Sequence, residues 1–257
     1  MSHSAGFADL DEKTAEYLCK WAPQMLSGRP EIVSITPITD EVWRVETVDA
    51  RKMVVKQQLF GFLTQGKAYD LLTVEREVLG LLHEADCPVP EVLGVDDHRQ
   101  CIFFAWVGDD TLDDALQAGD TALIGPAIEG LCTIERMCDR YAARLVSRVV
   151  PTAGLDELAA VWGAVGERAH EGLEQLSRCL GQSRDMARAV LLLAKMHRWL
   201  AERPPSLGST DYNARNVVVD PDGTRVRFIE FAKIGWDWTE RRMVQYTTSM
   251  GSGRADG

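Results

Sequence analysis

An aspartate, an asparagine and a glutamate follow one another late in the sequence at intervals that could do chemistry. Asp211 is followed five positions later by Asn216, and Glu230 comes 14 positions after that. The D-x-x-x-x-N spacing is that of a phosphotransfer loop, in which the Asp accepts the proton of a substrate hydroxyl and the Asn holds Mg²⁺. Because Mg²⁺ prefers oxygen ligands, we predict Asp211 as the catalytic base, and Asn216 and Glu230 as the metal ligands.

Asp and Asn are also common turn residues, so the motif alone is equally typical of a polar loop. A lysine in the first half of the chain adds a second feature. Lys56 ends the apolar stretch Met53–Lys56, and Glu75 lies 19 residues later in a helical pattern. A strand lysine held by a helix carboxylate binds ATP phosphates in kinases. We predict that Lys56 and Glu75 form this pair; a solvated side chain on an edge strand is the alternative for Lys56.

The elements that must position Lys56 and Glu75 are predicted from hydrophobic periodicity and β-propensity. An amphipathic helix over Asp11–Gln24 opens the chain, and a second helix covers Lys67–Glu84. Five stretches rich in Val, Ile, Thr or Phe predict strands, at Glu31–Ile38, Glu41–Val48, Lys52–Gln57, Glu91–Val95 and Cys101–Trp106. They would form a five-stranded antiparallel sheet with a helix packed on it.

The second half of the sequence is mainly helical. The predicted helices are Thr111–Ala118, Leu123–Leu145, Leu155–Leu180 and Ser183–Arg203. A hairpin follows, with strands at Val217–Asp220 and Arg225–Phe231 around a Pro-Asp-Gly turn. The fold class is therefore α+β, with two lobes: residues 1–106 form a nucleotide-binding sheet and helix, and residues 107–257 form a helical lobe that carries the catalytic loop and the metal-binding hairpin.

Several segments together resemble the aminoglycoside phosphotransferase and choline kinase family, the small-molecule branch of the protein-kinase-like fold. The segment from Thr39 to Val45, T-D-E-V-W-R-V, is similar to the nucleotide-loop pattern S-N-x-V-Y-R-V. Cys87–Leu93 resembles V-P-V-P-x-V-L, and Phe103–Gly108 resembles the hinge. Asp211–Asn216 and Ile229–Trp236 resemble H-G-D-x-x-x-x-N and I-D-F-x-x-x-G-W. The resemblance runs from about residue 31 to residue 240.

This resemblance implies an ATP- and Mg²⁺-dependent phosphotransferase that acts on a hydroxyl of a small molecule. It places Thr39 at the phosphates, where its hydroxyl would replace a glycine backbone, and Phe104 and Trp106 in the hinge that would bind adenine. A cationic acceptor is suggested by a group of acidic residues after the hinge, namely Asp109, Asp110, Asp113, Asp114 and Asp120. A solvated acidic helix face is the alternative interpretation of that group.

Four departures from the family pattern favour a second reading. Ser209-Thr210 stands where the family has His-Gly, Glu230 replaces an Asp, and the loop Pro37–Glu41 has no glycine. The chain also ends about 20 residues after Asp237, where the family continues with further helices. A pseudokinase scaffold, which binds nucleotide weakly or not at all and acts through a protein partner, would tolerate all four. A third reading, an unrelated helical protein with coincident spacings, would lack the five-stranded sheet.

Composition restricts the partners and the location. The chain has 257 residues, with 28 Lys and Arg against 39 Asp and Glu, for a net charge of −11. A nucleic-acid partner is therefore not expected. We see neither a secretory signal nor an apolar run long enough for a membrane span, and the six cysteines lack zinc-site spacing. These features predict a cytoplasmic protein with free thiols. The acceptor, the choice between ATP and GTP, and the oligomeric state remain open.

Overall fold

The first half of the chain folds into the predicted five-stranded antiparallel sheet, in a computed structural model that describes residues 11–151, 154–181 and 184–251. The strand order is β1-β2-β3-β5-β4. The strands are β1 (Ile32–Thr39), β2 (Val42–Thr47), β3 (Lys52–Gln57), β4 (Val92–Asp96) and β5 (Cys101–Ala105). This sheet excludes the reading of an unrelated helical protein and confirms the α+β fold class.

One helix covers each face of the sheet. Helix α1 (Glu12–Trp21), continued by a 3₁₀ turn over Ala22–Met25, packs on the face that carries Val45 and Val55. Helix α3 (Leu71–Glu84) packs on the other face, which carries Ile102. Because successive side chains of a strand point to opposite faces, Lys56 lies on the α3 side, beside its cross-strand partner Ile102.

Helix α3 begins at Leu71, four residues later than the sequence pattern predicts. Its N-cap is Asp70, whose side chain accepts a hydrogen bond of 2.9 Å from the backbone N–H of Thr73. A capped N-terminus fixes the start of a helix because it satisfies donors that have no partner within the helix. The preceding residues include a short helix that was not predicted, α2 (Gly61–Thr64).

The second half is mainly helical, as predicted. Its helices are α4 (Leu112–Gln117), α5 (Ile124–Arg140), α6 (Ala142–Val146), α7 (Leu155–Leu180), α8 (Arg184–Ala201) and α9 (Thr239–Ser249). The single helix predicted over Leu123–Leu145 is divided at Tyr141 into α5 and α6. The predicted first residue of α8, Ser183, lies outside the described residues. None of the described helices is both long and apolar enough to cross a lipid bilayer.

Two small antiparallel ribbons complete this half. The predicted hairpin is present as β7 (Val217–Val219) and β8 (Val226–Phe228), so its second strand ends three residues before the predicted Phe231. A second ribbon, of β6 (Ser206–Ser209) and β9 (Ile234–Asp237), was not predicted, and neither was α9. Helix α5 packs against both β6 and β8. The ribbons therefore hold the segments before and after the D-x-x-x-x-N loop.

Candidate active site

Lys56 contacts two carboxylates of the candidate site, those of Glu75 and Glu230. Its Nζ lies 3.2 Å from both carboxylate oxygens of Glu75, so the predicted contact between these two residues is present. The same Nζ also donates a hydrogen bond to Oε1 of Glu230. Gln58 donates from its side-chain amide to Oε2 of Glu75. Lys56 therefore joins β3, α3 and the segment after β8.

The electrostatics of this cluster keep Lys56 charged. Burial lowers the pKa of its ammonium group, but the carboxylates of Glu75 and Glu230 outweigh this effect, so the pKa lies above the usual 10.5. Glu75 is fully buried, and burial raises the pKa of its carboxyl, while Lys56 and Gln58 act in the opposite direction. A protonated amine fixed in this way can bind phosphate oxygens without first acquiring a proton.

The loop from Asp211 to Asn216 is closed by its own hydrogen bonds. The side-chain amide of Asn216 donates to the backbone carbonyl of Asp211 over 3.1 Å. The buried hydroxyl of Ser209 accepts a hydrogen bond of 3.2 Å from the backbone N–H of Asp211. The backbone N–H of Thr210 donates to the carbonyl of Lys233 over 3.0 Å. Together these bonds fix the backbone that carries the Asp211 carboxylate.

Lys233 is a site residue that sequence reasoning missed. Its Nζ lies 3.3 Å from Oδ2 of Asp211, and both side chains are partly exposed. The two side chains therefore form an ion pair at the edge of the loop. The available signal was a lysine three positions after Glu230, but only the pairing of β6 with β9 brings it beside Asp211.

The sequence predicts Glu230 on the second strand of the hairpin. In the structure this strand ends at Phe228, and Glu230 lies in the turn that follows β8. Its φ is +67°, in the left-handed region, which costs a non-glycine residue roughly 1–2 kcal/mol. A hydrogen bond of 2.9 Å from the N–H of Ile229 to the carbonyl of Asn216 holds the turn beside the loop. Strained backbone of this kind is found where the surrounding structure imposes it, often at functional sites.

Asn216 and Glu230 have the donor chemistry that Mg²⁺ requires. The amide nitrogen of Asn216 is used by the Asp211 carbonyl, so the amide oxygen is the end available to a cation. The carboxylate of Glu230 is about one-third exposed, at 34%. Both groups are hard oxygen donors, and Mg²⁺ completes its shell with water and phosphate oxygens. The residues present therefore fit this ion, provided that Glu230 exchanges its contact with Lys56.

The segment predicted as the hinge, Phe103–Gly108, runs from β5 of the sheet to the hairpin of β7 and β8. Phe104 is buried on β5, whereas Trp106 is half-buried, donates from Nε1 to Asp109 over 3.2 Å and carries the Lys52 ammonium 4.5 Å from its ring centre. Gly108 has a φ of +152° and lies so close to the carbonyl of Val219 that no side chain would fit between them. A glycine is required there because the hinge touches β7 directly.

The turn between β1 and β2 is unlike a phosphate-binding loop. Thr39 pairs with Val42, and its hydroxyl accepts a hydrogen bond of 3.2 Å from the backbone N–H of Glu41. The two turn residues, Asp40 and Glu41, both carry carboxylates. Two negative charges at the tip of this turn would repel the phosphates of a nucleotide.

The acidic residues after the hinge are largely engaged in local contacts. Asp109 pairs with Arg44, Asp113 is buried and accepts from Gln117, and Asp114 forms the capping box of α4. A cavity of about 590 Å³ nevertheless opens beside Trp106, and its walls include the acidic residues Asp109, Asp110, Asp114, Asp120 and Asp220. Asp113 does not line it.

The sequence of residues 35–239 matches the model of the phosphotransferase enzyme family, APH. This match covers most of the chain. The protein belongs to the phosphotransferase enzyme family. The predicted resemblance is thereby confirmed. A search of curated proteins returned no match.

Solved structures share the fold of this phosphotransferase family member at low sequence identity. Aminoglycoside phosphotransferase APH(3'')-Id from Streptomyces rimosus, in complex with ADP and streptomycin, is 17% identical with a TM-score of 0.53, over 96% of this chain and 87% of that chain. Choline kinase LicA from Streptococcus pneumoniae is 12% identical with a TM-score of 0.52, over 94% and 76%. A GDP complex of an aminoglycoside 2'-phosphotransferase is 15% identical with a TM-score of 0.56, over 86% and 73%.

Proposed function

We propose that this family member is an ATP- and Mg²⁺-dependent phosphotransferase that phosphorylates a hydroxyl group of a small molecule. The observation that carries the proposal is the position of Lys56, which contacts Glu75 on one side and Glu230 on the other. The turn that carries Glu230 is hydrogen-bonded to the D-x-x-x-x-N loop, from the N–H of Ile229 to the carbonyl of Asn216. We place the nucleotide between a lobe of residues 1–106 and a lobe of residues 107–257.

The chain's own residues would divide the work of phosphoryl transfer between them. Lys56 binds phosphate oxygens, and Glu75 holds its ammonium group in place. Asp211, whose side chain is 42% exposed, accepts the proton of the acceptor hydroxyl. Lys233 pairs with Asp211 and adds positive charge beside the transferred group. Phosphoryl transfer depends mainly on positioning and charge neutralisation, and these four residues supply both.

Asn216 and Glu230 would hold Mg²⁺, and Phe104 and Trp106 would border the adenine. When bound, the ion neutralises charge on the phosphates. Glu230 must release Lys56 as it takes up this role, so the two contacts of its carboxylate compete. Thr39 would reach the phosphates only if its hydroxyl leaves the contact with Glu41. Since ATP is the phosphoryl donor, we place the reaction in the cytoplasm.

The acceptor is proposed to be a small molecule with a hydroxyl and a positive charge. The cavity beside Trp106 has five carboxylates in its wall, and an aromatic ring next to carboxylates attracts organic cations. Two structures of the same fold come from a choline kinase and from a complex with streptomycin. Amino alcohols and aminoglycosides are therefore the first acceptors to test.

A pseudokinase is the second candidate. Asp40 and Glu41 place negative charge in a glycine-free turn where phosphates would have to bind, and Glu230 occupies the ammonium group of Lys56. A scaffold that does not bind nucleotide would keep both features without loss. Such a protein would act through a protein partner.

A calorimetric titration with ATP, in the presence and absence of Mg²⁺, distinguishes the two candidates. We expect Mg²⁺-dependent binding that Lys56→Met weakens at least about tenfold, a loss of roughly 1.4 kcal/mol. Lys20→Met is the matched control, because Lys20 is exposed on α1, on the opposite face of the sheet. Glu230→Asp should strengthen the Mg²⁺ dependence, since the shorter carboxylate reaches Lys56 less easily.

Turnover is then measured with the acceptor panel. Transfer of phosphate from ATP to an amino alcohol or an aminoglycoside, abolished by Asp211→Asn, would establish the phosphotransferase. No ATP binding at millimolar concentration, with or without Mg²⁺, would reject it in favour of the pseudokinase.

A further inference from the structure

The helical hairpin of α7 and α8 presents an apolar face that no other part of the described chain covers. The two helices pack together in antiparallel orientation, since Leu158 clusters with Leu200 and Gly166 contacts His197. Beside this contact, six large apolar side chains are between 37% and 56% exposed. They are Val161, Val165 and Leu176 on α7, and Leu192, Met196 and Trp199 on α8.

These six residues form one surface. On α7 they are spaced by 4 and 11 residues, and on α8 by 4 and 3, so each set lies on one side of its helix. On each helix, the three exposed apolar residues lie about a quarter turn around the helix axis from the side that packs on the other helix. Because the helices are antiparallel, the two quarter turns lead to the same face of the hairpin. The six side chains therefore lie along one side of the hairpin as an apolar strip, which we call the hairpin face.

The two helices carry opposite charges. Helix α7 has five acidic and two basic residues, for a net charge of −3, and α8 has one acidic and four basic residues, for a net charge of +3. Glu157 and Glu171 lie along the outer edge of the strip on α7, and Arg188 and Lys195 lie along its outer edge on α8. Within the described residues, no ion pair joins α7 to α8. These charges are therefore available to a partner.

We propose that a second copy of this chain covers the hairpin face in a symmetric dimer. A two-fold axis parallel to the helices places α7 of each copy on α8 of the other. In both contacts a helix with a net charge of −3 then faces a helix with a net charge of +3. The other two-fold axis in the plane of the face would place α7 on α7 and α8 on α8, with like charges opposed. Charge complementarity therefore selects the first arrangement, and the self-complementary pattern is what a two-fold interface requires.

The hairpin face has the size that a stable dimer needs. Helix α8 has 18 residues and α7 has 26, so they are about 27 and 39 Å long. With two helices about 10 Å wide each, the whole side of the hairpin that carries this face measures roughly 500–800 Å² per copy, close to the ~800 Å² per partner of a standard interface. This proposal does not depend on phosphoryl transfer.

Analytical ultracentrifugation of the full chain tests the dimer directly. We expect the wild type to sediment as twice the chain mass of 28.6 kDa, and the double variant Val165→Gln/Leu192→Gln to sediment as a monomer. Leu191→Gln is the matched control, because Leu191 is 71% exposed on α8 but lies off the hairpin face. Circular dichroism checks that every variant keeps its helices.

Charge reversal tests the arrangement of the two copies. Arg188→Glu/Lys195→Glu and Glu157→Lys/Glu171→Lys should each be monomeric alone, since α7 and α8 then carry charges of the same sign. Mixed together, the two variants should form a heterodimer. A monomeric wild type up to its solubility limit would overturn the proposal, as would a dimer that survives the apolar substitutions. Failure of the mixed variants to associate would reject the contact of α7 with α8.

Discussion

Two ion pairs with both partners largely buried lie in different halves of the molecule, and they are built differently. Glu135 on α5 and Arg242 on α9 make a bidentate pair, with Nη2 2.6 Å and Nε 3.0 Å from the two carboxylate oxygens. Ser206 accepts from Arg242, and the hydroxyl of Thr239 donates to Glu135. Each charge of this pair therefore has more than one hydrogen-bond partner within the protein.

The pair of Lys56 and Glu75 has a third charged member that is partly exposed to solvent. Its third member, Glu230, is about one-third exposed and has a left-handed backbone conformation. A buried ion pair pays a desolvation cost that its attraction often only matches, so burial alone does not distinguish a structural pair from a functional one. The difference between the two sites is that the Lys56 cluster includes a carboxylate that is 34% exposed, whereas both charges of the Arg242 pair are at most 5% exposed.

Removing one charge from each network should have unequal effects on stability. Arg242→Met leaves Glu135 buried without its partner and should lower the free energy of unfolding by about 3–5 kcal/mol. Glu230→Gln should cost less than about 1 kcal/mol, because this carboxylate is partly solvated. Urea denaturation monitored by circular dichroism measures both. Equal losses for the two variants would mean that Glu230 is as structural as Arg242.

A smaller effect is expected from the glycine that lies over the closed pair. A Cβ on Gly208 of β6 would lie 2.7 Å from Oε1 of Glu135 and 2.8 Å from Cζ of Arg242, so Gly208→Ala should cost about 1–3 kcal/mol. Gly163→Ala on α7 is the control, since its Cβ meets nothing and alanine is the better helix former. The melting temperature should fall for Gly208→Ala and rise for Gly163→Ala. An unchanged melting temperature for Gly208→Ala would show that Glu135 and Arg242 can shift to make room for the added methyl group.

The smallest effect should come from pH. Since the folded pKa of Lys56 is raised above 10.5, the stability contributed by this charge is complete below that pH and is lost only as pH rises through the raised pKa. Lys56 should therefore stay protonated between about pH 6 and pH 9, and the ¹³Cε chemical shift of its side chain should stay constant over this range. A chemical shift that titrates within this range would mean that Lys56 loses its proton in the folded protein.

The sheet could be predicted from the sequence because its information is local. In β2, Trp43, Val45 and Thr47 are buried in alternation, which is the period-two pattern that the residues display. The start of α3 at Asp70 also had a local signal, an Asx cap, which the apolar pattern around it obscured. The strands β6 and β9 have four residues each and pair across more than 20 positions, so no local period marks them.

The sequence by itself determined the family, the five-stranded sheet and the order of the residues that could do chemistry, because these depend on types and intervals along the chain. Only the tertiary structure decided that Glu230 bonds to Lys56 across 174 positions, that Lys233 lies beside Asp211, and that Arg242 pairs with Glu135. Charges attract over a few ångströms of space, and the distance between them is set by the packing of α3, α5 and the two ribbons rather than by their separation along the chain.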